Sequence, residues 1–240
     1  MSECIIAAKN VGKVFGSGPA QVQALKAVNL SLTGGSLTVL MGPSGSGKTT
    51  LLSVLGCMLA PTEGTVVIRG VSTAGASPEQ LANIRRQYIG FVFQTYHLFP
   101  TLTAEENIRL ALDVRGERGA KARAKSQEIL VRVGLSPKRA AFPRELSGGE
   151  QQRIAIARAI IAEPSAIFAD EPTAALDGAN GQAIMAILAT LAKERNRAVL
   201  VVTHDARLLR FADRIVYIED GSVTREESPN SSLYRMRSTG

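Results

Sequence analysis

The sequence predicts an α/β fold: a parallel sheet flanked by helices, entered through a short all-strand segment and interrupted by a helical insertion. Three observations carry this expectation. Short apolar runs bounded by turn residues recur, notably SLTVLM (Ser36 to Met41), Ala166 to Ala169, and AVLVV (Ala198 to Val202), with the length and composition of buried strands. A glycine-rich turn joins the first of these runs to the helical stretch KTTLLSVLGCML. From Thr103 to about Ala162 the pattern is almost entirely helical, and strand-like runs resume after it.

In chain order, CIIAAKNVGKVF and ALKAVNLSLT read as strands, the second with apolar Leu25, Val28, Leu30 and Leu32 set among other residues. They predict an N-terminal antiparallel β subdomain. TVVIRG is a further strand. Ser77-Pro78-Glu79-Gln80 opens a helix, with proline at its first position and a capping-box partner three residues after Ser77. YIGFVF (Tyr88 to Phe93) is a strand rich in aromatic and β-branched residues, and Thr103 with Glu106 forms a second capping box. RIVYIEDGSV reads as a terminal hairpin around Asp220-Gly221, followed by a polar tail over 229–240.

Composition bounds the function. The 240 residues fit one domain, 45% hydrophobic and 20% charged, as expected of a globular protein. No apolar run approaches the ~18 residues that cross a bilayer. The start, MSECIIAAKNVGK, lacks the features of a signal peptide, so a cytosolic chain is expected. Cys4 and Cys57 have no metal-like spacing and read as structural or incidental thiols. The net charge of +7 would suit nucleic acid or an anionic membrane. Between Thr95 and Pro164 twelve Lys or Arg stand against eight Asp or Glu, which reads as a solvated basic face. With no glycine- and arginine-rich tail and no aromatics clustered among the basic residues, no nucleic-acid partner is expected.

GPSGSGKT, Gly42 to Thr49, matches G-x-x-x-x-G-K-[ST] between an apolar strand and a helix. Gly42, Gly45 and Gly47 let backbone N–H groups converge on phosphates across Pro43, Ser44 and Ser46, and the helix that follows adds its positive end. Lys48 is a mobile charge for the β- and γ-phosphates, the Thr49 hydroxyl can ligate Mg²⁺, and Thr50 follows it into the helix. A nucleoside triphosphate is the expected ligand. AIFADE, Ala166 to Glu171, delivers two acids at a strand end: Asp170 to hold Mg²⁺ and Glu171 to polarise the attacking water. The expected organisation is a P-loop NTPase (RecA-like) core with its β subdomain over 1–94 and 164–228, and a helical subdomain over 95–163.

LSGGEQQRIAIARAI, Leu146 to Ile160, resembles the signature motif of ABC ATPases. Ser147, Gly148, Gly149 and Glu150 offer a hydroxyl and close N–H groups at a helix start; a simple N-cap by Ser147, with Glu150 completing the box, is the alternative. The resemblance implies that the phosphate loop of one subunit and the signature of its partner clasp the same γ-phosphate. It places an adenine-stacking aromatic at Phe15, for which a core phenylalanine is the alternative. It also makes Gln94 the glutamine that reaches Mg²⁺ and senses the permease. Asp177, ending PTAALD, falls in the loop that crosses the dimer interface, and His204, in VVTHD, becomes the histidine that bonds the γ-phosphate.

FVFQTYHLFPTLTAEENI, ADEPTAALD and VVTHDARLLRFADRIVYIEDG are similar to the class that includes lipoprotein-release, macrolide-export and heterocyst-glycolipid-export ATPases. That implies a second copy of the chain, ATP with Mg²⁺, an integral membrane permease with a periplasmic adaptor beyond it, and a peripheral position on the cytoplasmic face of a bacterial inner membrane. Gly56-Cys57-Met58-Leu59 and Ala174-Ala175 depart from many members of that class. An ABC ATPase that signals through such a permease without moving cargo is the alternative.

Overall fold

The structure, a computed structural model, describes residues 3–229; the expected polar tail beyond 229 lies outside the described residues. Strands β1 (Cys4–Phe15) and β2 (Val22–Thr33) pair antiparallel, and Leu25, Val28, Leu30 and Leu32 are buried as their spacing predicts. Strand β3 (Ser36–Met41) has Leu37 to Leu40 all buried, because helices and the antiparallel sheet cover both of its faces. The phosphate loop leads into α1 (Lys48–Leu55). After β4 (Glu63–Ile68) and the two-residue β5 (Val71–Ser72), helix α2 (Pro78–Tyr88) starts at the Ser77–Gln80 capping box. Strand β6 (Ile89–Val92) follows directly, so Tyr88 belongs to the helix and Phe93 lies past the strand, a shorter strand than YIGFVF suggested.

The helical block contains α3 (Ala104–Asp113), α4 (Gly119–Arg132) and α5 (Gly148–Ile160), with two short 3-10 turns between α4 and α5. Buried Asn107 fastens the segment that enters the block. It accepts from the Phe99 N–H at 2.8 Å and donates to the carbonyls of Phe99, Leu102 and Thr103. The core resumes with β7 (Ala166–Asp170), α6 (Gly178–Lys193), β8 (Ala198–Val202) and the hairpin β9 (Arg214–Glu219) and β10 (Ser222–Glu227).

The smaller sheet runs β2-β1-β4-β5 and is antiparallel; the larger runs β10-β9-β3-β8-β7-β6, parallel from β9 to β6. Alternate residues of the larger sheet face opposite cores. Leu37, Val39, Ile167, Ala169, Val199 and Val201 pack with the helical block and α6, whereas Leu40, Phe168, Leu200 and Val202 pack with α1 and the antiparallel sheet. The period of two therefore locks the register: a one-residue slip would exchange the two cores. Gly90 lets α5 approach β6, since a Cβ there would lie 2.3 Å from the Ala159 carbonyl. This parallel order brings the ends of β3, β7 and β8, and the loops after them, to one edge of the sheet.

Candidate active site

At that edge lies a cleft of about 590 Å³. Ligands bind such sheets beyond the carboxyl ends of their strands. Gly42, Ser44, Gly45, Gly47, Lys48, Thr49 and Thr50 line it with Asp170, Glu171 and His204. Gly47 has φ 102 and precedes α1 with no side-chain cap. A Cβ there would meet the Ala24 carbonyl at 2.6 Å, so both conformation and space require glycine. The N–H groups at the start of α1 consequently face the cleft rather than a capping side chain. The Lys48 ammonium donates to the carbonyls of Gly42 (2.8 Å) and Pro43 (2.7 Å), folded against the loop it serves.

The Thr49 hydroxyl donates to Asp170 Oδ2 at 3.3 Å, joining the loop to the end of β7. Burial pushes the Asp170 carboxyl above its ordinary value; the Thr49 hydroxyl and Lys48 oppose the rise, and neighbouring Glu171 adds to it. Glu171 takes φ 47, a left-handed conformation uncommon for a side chain of this size. Its N–H is held by the Val202 carbonyl at 2.9 Å, and its Oε1 lies 2.9 Å from Nδ1 of His204. Oxygen donors from Thr49 and Asp170 converging beside a phosphate loop fit Mg²⁺, which takes one or two carboxylates and leaves its other positions to phosphates and water.

The remaining expected residues lie outside the cleft lining. Phe15 is exposed at the end of β1, opposite Val22 of the cleft wall, with the Lys13 ammonium 5.3 Å from its ring centroid. The alternative of a core phenylalanine therefore does not hold. Gln94 stands two residues past Val92, whose register partner is Ala169, and so leaves the sheet at the same edge as Asp170. Asp177 caps α6 and lines an adjoining pocket of about 140 Å³ together with Glu171 and His204.

Ser147 to Glu150 form the start of α5, away from the cleft. Ser147 Oγ accepts from the Glu150 N–H at 3.3 Å, and Glu150 Oε2 accepts from the Ser147 N–H at 2.8 Å. The capping box is thus real, and Ser147 bonding drops the Glu150 carboxyl below its usual range. The two glycines also have neighbours in their own chain. A Cβ on Gly148 would meet Tyr96 Oη at 2.9 Å, and one on Gly149 would meet Asn180 Oδ1 at 2.9 Å.

Sequence reasoning missed one wall of the cleft. Val22, Gln23, Ala24, Lys26, Asp220 and Gly221 line it. The Lys26 N–H donates to the Gly221 carbonyl at 2.8 Å, and the Gly221 N–H donates to the Ser46 carbonyl at 3.0 Å. The turn Asp220-Gly221 was legible as a hairpin, but nothing local tied it to the phosphate loop.

The fold and this cleft define a nucleoside triphosphatase of the phosphate-loop class. Residues 25–174 match the family described as ABC transporter. The chain is 46% identical over 227 residues to the ABC transporter ATP-binding protein MJ0796 of Methanocaldococcus jannaschii, covering 93% of this chain and 97% of that one. It is 41% identical to the lipoprotein-releasing system ATP-binding protein LolD of Bordetella pertussis (89% and 93%), and 41% identical to the macrolide export ATP-binding/permease protein MacB of Neisseria meningitidis (95% and 35%). A solved structure of MJ0796, dimeric in a post-hydrolysis state with ADP and Pi, superposes with a TM-score of 0.85 at 44% identity, over 95% of this chain and all of that one. The chain belongs to the ABC transporter family.

Proposed function

We propose that the chain is the ATP-binding and ATP-hydrolysing subunit of an ABC transporter, acting as a homodimer that energises a separate membrane permease. One observation carries the dimer. The chain has two helix starts suited to phosphate, at α1 and α5, and no residue of the second lines the cleft of the first. Each ATP is then held by the phosphate loop of one copy and Ser147 to Gly149 of the other, and closure depends on the γ-phosphate.

Within each composite site Lys48 and the loop N–H groups hold the β- and γ-phosphates. Phe15 stacks on the adenine, and Asp177 crosses the interface. Thr49 and Asp170 would hold Mg²⁺, with Gln94 reaching it as the site closes; the ion would neutralise charge on the phosphate oxygens. Glu171 orients the attacking water and accepts its proton. His204 holds Glu171 in place and is positioned to bond the γ-phosphate.

A groove of about 610 Å³ between core and helical block supports a permease on this face. Phe91, Phe93, exposed Phe99 and exposed Val114 line it, with Arg86 and Arg115 among them. Apolar anchors ringed by cations suit an amphipathic helix with acidic flanks. The subunit would sit peripherally on the cytoplasmic face of the membrane, where ATP is supplied; among the described residues no helix is long and apolar enough to cross a bilayer. Two relatives are named for macrolide export and lipoprotein release, which supports export as the direction; lipid, lipoprotein, peptide or drug-like cargo, and a periplasmic adaptor beyond the permease, complete the reading.

Mixing two inactive proteins tests the composite site. Lys48→Ala and Ser147→Arg should each be inactive alone, and together should recover ATP hydrolysis through mixed dimers. Absence of any recovery, with both variants folded, would count against the shared-site arrangement.

A further inference from the structure

We propose that Asn180 is a positioning residue that joins the signature helix start at Gly149 to Asp177 at the start of α6. Both Asp177 oxygens are engaged by Asn180: Oδ1 accepts its backbone N–H at 2.9 Å, and Oδ2 accepts its side-chain amide at 2.7 Å. The other end of that amide faces Gly149, where a Cβ would lie 2.9 Å from Oδ1 and 3.1 Å from Cγ. Gly149 is buried within α5 and is not among the positive-φ glycines. Backbone conformation therefore does not require glycine there; the space taken by Asn180 does. Asn180 cannot swing aside without giving up its bond to Asp177, because one short amide serves both contacts.

The neighbouring glycine extends the joint. A Cβ on Gly148 would meet Leu176 Cδ2 at 3.4 Å, so the segment ending at Asp177 lies against Gly148 as Asn180 lies against Gly149. That segment starts at Glu171, whose carbonyl accepts the Ala174 N–H at 3.2 Å. The start of α5, Asp177 and the loop leaving Glu171 are consequently one packed body. The catalytic consequence rests on the proposed function: signature and Asp177 serve the partner's nucleotide, and Asn180 keeps them in register with the chain's own Glu171.

A double-mutant cycle on the whole chain tests this. Gly149→Ala, Asn180→Ala and the double variant are melted without nucleotide, then assayed for ATP turnover and for ADP affinity. The joint lies within one chain, so Gly149→Ala should lower Tm clearly in the native background and little in the Asn180→Ala background. Turnover should show the same coupling, with Asn180→Ala recovering about fivefold or more of what Gly149→Ala loses. Asn180→Asp keeps the size but loses the donor and repels Asp177, so it should lower kcat with ADP affinity unchanged. If Gly149→Ala fails to fold while the double variant folds, the joint is likewise supported. Additive Tm losses, or a double variant that also fails to fold, would overturn it. Coupled Tm values with turnover unmoved by Asn180→Asp would uphold the joint and sink the catalytic consequence alone.

Discussion

Glu171 Oε1 and His204 Nδ1 meet at 2.9 Å across the ends of two adjacent parallel strands, β7 and β8. The pairing of Asp170 with Val202 sets this distance, and the bond from the Glu171 N–H to the Val202 carbonyl reinforces it. Glu171 reaches His204 only by leaving the strand at φ 47, a conformation that costs on the order of 1 kcal/mol and persists where surrounding structure enforces it. His204 is therefore the partner that keeps the carboxylate aimed. His204→Ala should lower kcat about a hundredfold, with the KM for ATP nearly unchanged, in steady-state phosphate-release assays. A matching loss of ATP affinity would place His204 in ground-state binding instead.

Gly221 should matter to nucleotide binding although it lies far in sequence from the phosphate loop. It has φ 79, and a Cβ there would stand 2.7 Å from the Ala24 carbonyl. Its N–H also supports Ser46. Gly221→Ala should weaken ADP binding about tenfold, measured by calorimetry, whereas Gly75→Ala, also at positive φ (67) but with open space around it, should leave binding unchanged.

Arg158 of α5 donates to the carbonyls of Tyr96 (2.8 Å) and His97, two consecutive residues at φ 59 and 47 just past Gln94. Burial holds its guanidinium below the usual arginine range. Arg158→Ala should destabilise the chain by about 2 kcal/mol, the worth of charge-assisted hydrogen bonds, read from denaturant midpoints. Arg158→Lys should recover part of this, since one ammonium cannot reproduce the planar fork.

Acid should loosen the helix starts. The Thr103 N–H holds Glu106 below the ordinary glutamate value, the Ser147 N–H does so for Glu150, and the Asn180 N–H lowers Asp177. Folded values below unfolded ones mean that these contributions are fully present above the unfolded pKa values of ~4 and are lost as pH falls through the folded ones. Tm should therefore decline below about pH 4, and Glu106→Gln should flatten part of that decline.

Much of the site was readable because its signals are local. Gly42 to Thr49 is one continuous loop, and Ser77, Thr103 and Ser147 each carry their capping partner three residues on. Strands β3, β7 and β8 announce themselves as short apolar runs. What stayed hidden depends on distant pairing. Lys26 and Gly221 face the loop only because β2 and the β9–β10 turn pack together. The signature glycines read as phosphate-gripping alone, since Tyr96 and Asn180 come from segments far along the chain. Helix α6 left little pattern: it is apolar almost throughout, carries two glycines in its first turn, and its cap, Asp177, doubles as the end of a loop motif.

If two copies share two ATP molecules and Glu171 activates the water, blocking hydrolysis should trap the closed dimer. Glu171→Gln should still bind MgATP but not turn it over. Light scattering after size exclusion should then find a monomer–dimer equilibrium without nucleotide, and a stable dimer retaining two ATP with it. A variant that hydrolyses ATP at the native rate would exclude Glu171 as the base, and one that stays monomeric with ATP bound would exclude the shared site.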